Sequence, residues 1–141
     1  MQLRIRNNGR RKEKCLKIRE TNTFFTVDDI PWKSTHGGSV KSKLILDEDH
    51  GGPTRFSLLV NSMRAGLNCK HDTPGHFHEE EHFLYVTDGT GGVSIDGVVY
   101  EVEPGDVVYI PPKAVHYIFA DPIGDMTYLV LYSPGGPEKS L

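Results

Sequence analysis

The stretch PGHFHEEEHFLYVTDG, residues 74–89, decides how this chain is read. Three histidines, His76, His78 and His82, fall within seven residues, and Glu79, Glu80 and Glu81 separate the last two. In an extended strand alternate residues share a face. His76 and His78 therefore point the same way. His82 shares its parity with Leu84 and Val86, which marks its side as the interior one, while Glu81 and Phe83 face the opposite side. A lone histidine in a strand is ordinarily a surface or satisfied core group, and a cluster of charges is ordinarily a solvated loop. Three imidazoles aimed into one interior are instead what a metal ion requires.

Working outward, a fourth imidazole has matching context. His116 lies 34 residues beyond His82 and shares parity with Ile118 and Ala120. It follows the turn Pro104-Gly105-Asp106 and the break Pro111-Pro112, which together start a new strand there. His71 precedes a Pro-bounded loop and is a weaker candidate, as ligand or supporting group. His36 and His50 sit in Gly-rich loops and are expected at the surface. Glu81 would compete as a ligand if its strand slipped by one residue. The EEE run otherwise reads as an exposed loop.

The surrounding chain supplies strands. Candidates are 24–32, running into a Pro-bounded turn, then 41–46, 55–61, 63–71, 82–87, 92–95, 98–102, 106–110, 115–120 and 126–132. Their spacing of roughly 8 to 12 residues suits a sandwich or barrel. Asp96-Gly97 between two short β runs is a two-residue hairpin signal, because both residues accept positive φ. No segment holds an apolar helical period over three turns. The pattern predicts an all-β jelly roll of two antiparallel sheets enclosing a cavity. Phe83, Tyr85, Tyr117 and Phe119 fall on faces opposite the histidines and are expected at contacts between sheets or subunits. Trp32 is assigned to packing or a dimer contact.

Composition sets the limits. The chain has 141 residues, 15 of them Gly and 9 Pro, and a net charge of −3. Residues 1–19 carry eight basic side chains against Glu13 alone, a net +7, which leaves −10 on the remainder. Residues 1–22 read as a short polar, basic N-terminal arm or linker, 23–133 as the β-barrel domain, and 134–141 as a loose C-terminal tail. The arm has no aromatic interleaving, so nucleic acid is not an expected partner. No apolar run approaches the ~18 residues of a membrane span. The start lacks the apolar core of a secretion signal. Cys15 and Cys69 make no disulfide framework and read as reduced thiols, so a cytoplasmic setting is expected. The sequence carries neither a phosphate-binding G-x-x-x-x-G-K-[ST] loop nor a G-x-S-x-G nucleophile elbow.

GHFHEEEHFLYVTDG and GDVVYIPPKAVHYIFA together resemble the two motifs of the cupin superfamily. The first reads roughly G-x5-H-x-H-x3–4-E-x6-G. His76 and His78 hold its two His positions, His82 its Glu position and Gly89 its last Gly. The second reads G-x5-P-x-G-x2-H-x3-N, which Gly105, Pro111 and His116 fit. The chain departs from the pattern at Lys70, Lys113 and Ala120, where the family has Gly, Gly and Asn. The resemblance implies a double-stranded β-helix, or jelly-roll barrel, that often pairs as a homodimer through exposed sheet edges. His82 in place of Glu is similar to a small four-histidine subset in which several members bind manganese.

The resemblance thus implies one divalent transition metal ion on His76, His78, His82 and His116, with Mn or Fe favoured and Cu, Ni or Zn possible. Four neutral ligands leave a divalent ion its full charge, which favours small anionic bidentate substrates. The expected activity is a metal-dependent oxidoreductase, a dioxygenase or other oxidative C–C or C=C cleaving enzyme. A non-redox isomerase, lyase or hydrolase on a carbonyl or sugar-acid substrate is the alternative, and a non-catalytic small-molecule-binding cupin a third reading. No general base is assigned from the sequence.

Overall fold

The computed structural model describes residues 25–50 and 52–141. Residues 1–22, with Cys15, lie outside the described residues. Nine strands dominate: β1 Lys33–Thr35, β2 Val40–Leu46, β3 Ser57–Met63, β4 Glu81–Asp88, β5 Gly91–Ile95, β6 Val98–Val102, β7 Val107–Ile110, β8 His116–Ala120 and β9 Met126–Ser133. They form a six-stranded sheet in the order β1-β2-β3-β9-β4-β7 and a three-stranded sheet β6-β5-β8. Every strand pairing within the two sheets is antiparallel. The jelly-roll architecture is as the strand spacing indicated. Among the described residues no helix is long and apolar enough to cross a membrane.

Alternation builds the core. Along β3 and β9 buried and half-buried residues alternate strictly, and Leu59, Met63, Met126, Tyr128 and Val130 turn inward. From the facing sheet Val93 and Ala120 close the interior with no exposed surface. Burying each large aliphatic side chain in this way contributes roughly 1.5–3 kcal/mol. The β5–β6 reversal turns at Asp96 (φ 48°) and Gly97 (φ 84°), both left-handed, as a two-residue hairpin requires. Gly89 is also left-handed, at φ 75°, and a β-carbon there would collide with the carbonyl oxygen of Asp125.

Several expectations are corrected. Residues 63–71 do not form a strand: β3 ends at Met63, and Gly66 (φ 77°), Asn68 (φ 60°) and His71 (φ 56°) turn the chain instead. The alternating apolar residues of this stretch are outweighed by residue types that accept left-handed backbone. In place of a strand over 24–32, the described residues form a 3-10 turn at Val27–Asp29, and the pairing strand is β1. The segment packs on the outer side of the large sheet. There the Lys43 ammonium bonds the Val27 carbonyl at 3.1 Å and lies 4.9 Å from the centre of the Trp32 ring.

The C-terminal tail is not loose. It makes a 3-10 turn, Pro137–Ser140, and Leu141 packs against the core. Glu138 accepts a 2.7 Å hydrogen bond from Ser57, and the Lys139 ammonium sits 2.7 Å from Glu48 and 3.5 Å from Asp49.

Candidate metal centre

Segment 75–78 enters the barrel beside the start of β8. The His76 amide donates to the His116 carbonyl at 2.9 Å, and the His116 amide returns the bond to His76 at 2.9 Å. One step away, the Lys113 amide donates to the His78 carbonyl at 2.8 Å. Backbone bonds thus hold together two parts of the chain that are far apart in sequence. His82 comes from β4 in the large sheet, flanked by Ile110 of β7 and Tyr132 of β9.

The four rings converge. Ring centres are 4.4 Å apart for His76–His116, 5.1 Å for His78–His116, 4.9 Å for His78–His82 and 4.8 Å for His82–His116. Candidate ligand atoms of His76, His78 and His116 all lie within 4.8 Å of one another. Nitrogens sharing one ion at about 2.0–2.1 Å would stand roughly 3–4 Å apart, so small ring rotations suffice. His82 is outside this tightest set but packs against two of its members.

Hydrogen bonding sets the tautomers. His116 Nδ1 meets the Ala114 carbonyl at 2.8 Å, and His78 Nδ1 meets the Glu80 carbonyl at 2.8 Å. A carbonyl only accepts, so Nδ1 carries the proton in each ring and Nε2 keeps a lone pair. The Nε2 atoms of His78 and His116, and both nitrogens of His82, are buried with no hydrogen-bond partner. Leaving such atoms unpaired costs about 1–3 kcal/mol each. Three rings with orphaned nitrogens in one place, each able to offer one lone pair, fit the donor set of a transition-metal ion.

Three of the four rings are held neutral at neutral pH. Burial, reinforced by the neighbouring imidazoles, lowers His76 to about 4 and His82 to about 3. Burial also lowers His116, against the opposing pull of its bond to Ala114. Neutral rings are the ligating form.

The structure relocates other residues. His36 is exposed, as expected, and also borders both cavities that reach His76. One cavity, of about 200 Å³, runs into the barrel past Val40, Met63, Ile118 and Tyr128. The other, of about 390 Å³, forms the mouth, walled by His78, Glu80, Tyr132 and the tail residues Pro137 and Leu141. Tyr117, expected away from the pocket, lines the inner cavity, and its hydroxyl meets His71 Nδ1 at 3.1 Å. His71 is exposed and stands edge-on to Phe119, apart from the cluster. Glu81 faces outward and accepts a hydrogen bond from the Tyr109 hydroxyl. His50 pairs with the buried Asp47 carboxylate at 2.6 Å. Burial raises Tyr128 to about 12 and also raises Tyr132, which keeps both phenols protonated.

Comparison with known proteins agrees with this architecture. A family model described as Cupin domain matches residues 67–132. Dimethylsulfoniopropionate lyase DddW of Ruegeria pomeroyi is 30% identical over 87 residues, which is 62% of this chain and 55% of that protein. The chain spans about half the length of the curated relatives it matches. Among solved structures, the polyketide cyclase RemF from Streptomyces resistomycificus is 25% identical with a TM-score of 0.69, covering 83% of this chain and 82% of that one. KdgF from a Halomonas species shares the fold at 20% identity and a TM-score of 0.68, covering 84% and 99%. The matched segment holds β4 to β8, nearly all of β9 and the four histidines, and over these residues the chain is a cupin domain.

Proposed function

We propose that this domain is a metal-dependent enzyme in which His76, His78, His82 and His116 hold one divalent transition metal ion and a small organic anion reacts without net oxidation. The observation that carries the reading is that three imidazoles, His78, His82 and His116, have buried ring nitrogens without a partner and that His76 packs against this group. When bound, the ion supplies Lewis-acid polarisation of a carboxylate or carbonyl oxygen. His78 and His116 keep their lone pairs inward through their carbonyl bonds. Tyr132, packed 5.0 Å from the His82 ring, walls the mouth and excludes water on that side.

A lyase and a cyclase stand among the relatives, and bond elimination and ring closure need no external oxidant. That favours the non-redox reading over the oxidative cleavage expected from the motifs. Imidazole suits Zn, Cu, Fe and Ni and can hold Mn, so Mn and Fe remain in the set to be measured. Elemental analysis of the untagged protein, followed by a carboxylic-acid substrate panel with an oxygen electrode, tests the reading. Stoichiometric metal and turnover without oxygen uptake support it. Oxygen consumption coupled to turnover would move the assignment to the oxidative class, and absence of bound metal would end it.

A homodimer and a cytoplasmic setting belong to the same reading. The free thiol of Cys69 is in keeping with a reducing compartment. Val98, Val99 and Tyr100 on β6 and Val107 and Tyr109 on β7 are exposed apolar residues on edge strands, a surface suited to a second copy. Sedimentation of the wild type against Val107→Lys distinguishes a dimer through this edge from a monomer.

A further inference from the structure

We infer that the inner cavity takes the uncharged end of a small monoanion whose single anionic end is held at the histidine cluster, so that substrates with a second charged group are rejected. The inference rests on the metal-centred reading above and names its substrate class. Its ground is the chemistry of the cavity wall. The inner and mouth cavities share His36 and His76, so a molecule held at the cluster can extend inward. Among the described residues lining the inner cavity none is Lys, Arg, Asp or Glu. A second charge placed there would be buried without a counter-ion, which is strongly unfavourable.

Four of the neutral polar side chains of the wall are already engaged. Asn68 Nδ2 donates to the Ile118 carbonyl at 2.9 Å, and the Ser39 hydroxyl donates to the His36 carbonyl at 2.7 Å. The Tyr128 hydroxyl is bonded to Asn61, and the Tyr117 hydroxyl to His71. What these groups leave for a guest is largely the apolar surface of Val40, Met63, Leu67 and Ile118. In the mouth, the Glu80 carboxylate stands 3.6 Å from His78 Nδ1 and opposes any additional anionic group on that side. A volume of about 200 Å³ admits a tail of several carbon atoms.

The test uses the full chain loaded with Mn²⁺ or, where Mn²⁺ is not retained, Ni²⁺, and reads binding rather than turnover. Pyruvate, 2-oxopentanoate and 2-oxoglutarate present the same chelating end. Their tails are respectively minimal, apolar and anionic. Calorimetric titration is expected to rank 2-oxopentanoate at least ten-fold tighter than 2-oxoglutarate, with pyruvate weaker than 2-oxopentanoate for want of a tail. Thr73→Arg, which adds one cation to a half-buried loop position of the wall, is expected to narrow or reverse that preference. Metal retained and pyruvate bound, but with equal affinity for the two five-carbon acids, overturns the inference alone. A preference unchanged by Thr73→Arg also overturns it, by putting the tail elsewhere. Failure to retain either ion removes the metal-centred reading and this inference with it.

Discussion

The barrel interior contains two groups of buried polar side chains, and they are treated in opposite ways. Beside Leu59 the hydroxyl of Ser42 donates to Asn61 Oδ1 at 2.7 Å, Thr35 and Ser42 share a hydroxyl contact at 2.8 Å, and Asn61 also bonds Tyr128. Each member has a protein partner. At the other group, nitrogens of His78, His82 and His116 are equally buried and have none. Both cost desolvation, but only the first is compensated within the chain. A satisfied network specifies the core, whereas an unsatisfied one marks a place for something the chain does not itself supply.

The sharpest way to break this contrast is to remove a histidine. His116→Ala is expected to reduce retained metal by more than the roughly 10–100-fold cost of losing a supporting partner outside the ligand shell. Its folded stability without metal should change little, because the loss of one orphaned nitrogen offsets the loss of the Ala114 bond and of side-chain packing. Metal analysis together with urea unfolding of the metal-free protein checks both halves, and a large loss of stability with full metal retention would reverse the assignment.

Next in size is the converse substitution, Asn61→Leu. It strands the Tyr128 hydroxyl, leaves Ser42 only its contact with Thr35, and is expected to cost about 1–3 kcal/mol. Metal content should be unchanged. If metal is lost while the urea midpoint stays put, the two groups are not separate devices.

Acid titration of the metal-free protein sharpens the same comparison with a smaller, graded effect. In the unfolded chain the histidines protonate near 6.5, whereas in the native state His76 does so near 4 and His82 near 3. Between those values the unfolded state binds more protons, so stability falls as pH drops from about 6.5 toward 4. Urea midpoints at pH 7, 5.5 and 4.5 should decline in that order, and the decline should shrink in His82→Ala. A midpoint independent of pH across this window would show that the rings are not held neutral by burial.

Much of the centre was legible in the sequence because it depends on short-range parity. The spacing of His76 and His78, the shared parity of His82 with Leu84 and Val86, and the turn signals before His116 all act over a few residues. The Asp96-Gly97 hairpin was legible for the same reason. His36 was not, since its place at the cavity follows from where the β1–β2 connection lies across the mouth, a tertiary fact with no local signature. The ordered tail was equally hidden: Glu138 reaches Ser57 and Lys139 reaches Glu48 across 81 and 91 residues. Residues 63–71 carry both a strand-like alternation and the turn residues Gly66 and Asn68, and the left-handed backbone those two accept prevails.

The reciprocal amide bonds between His76 and His116 have a wider consequence. The two halves of the centre are tied through atoms common to every amino acid, so the spacing of these positions does not depend on which side chains they bear. Swapping an imidazole for a carboxylate or a thiolate at either position changes the hardness of the donor set while the frame stays put. On the metal-centred reading, ion preference is therefore a property that a single codon can retune, independently of the architecture that presents it.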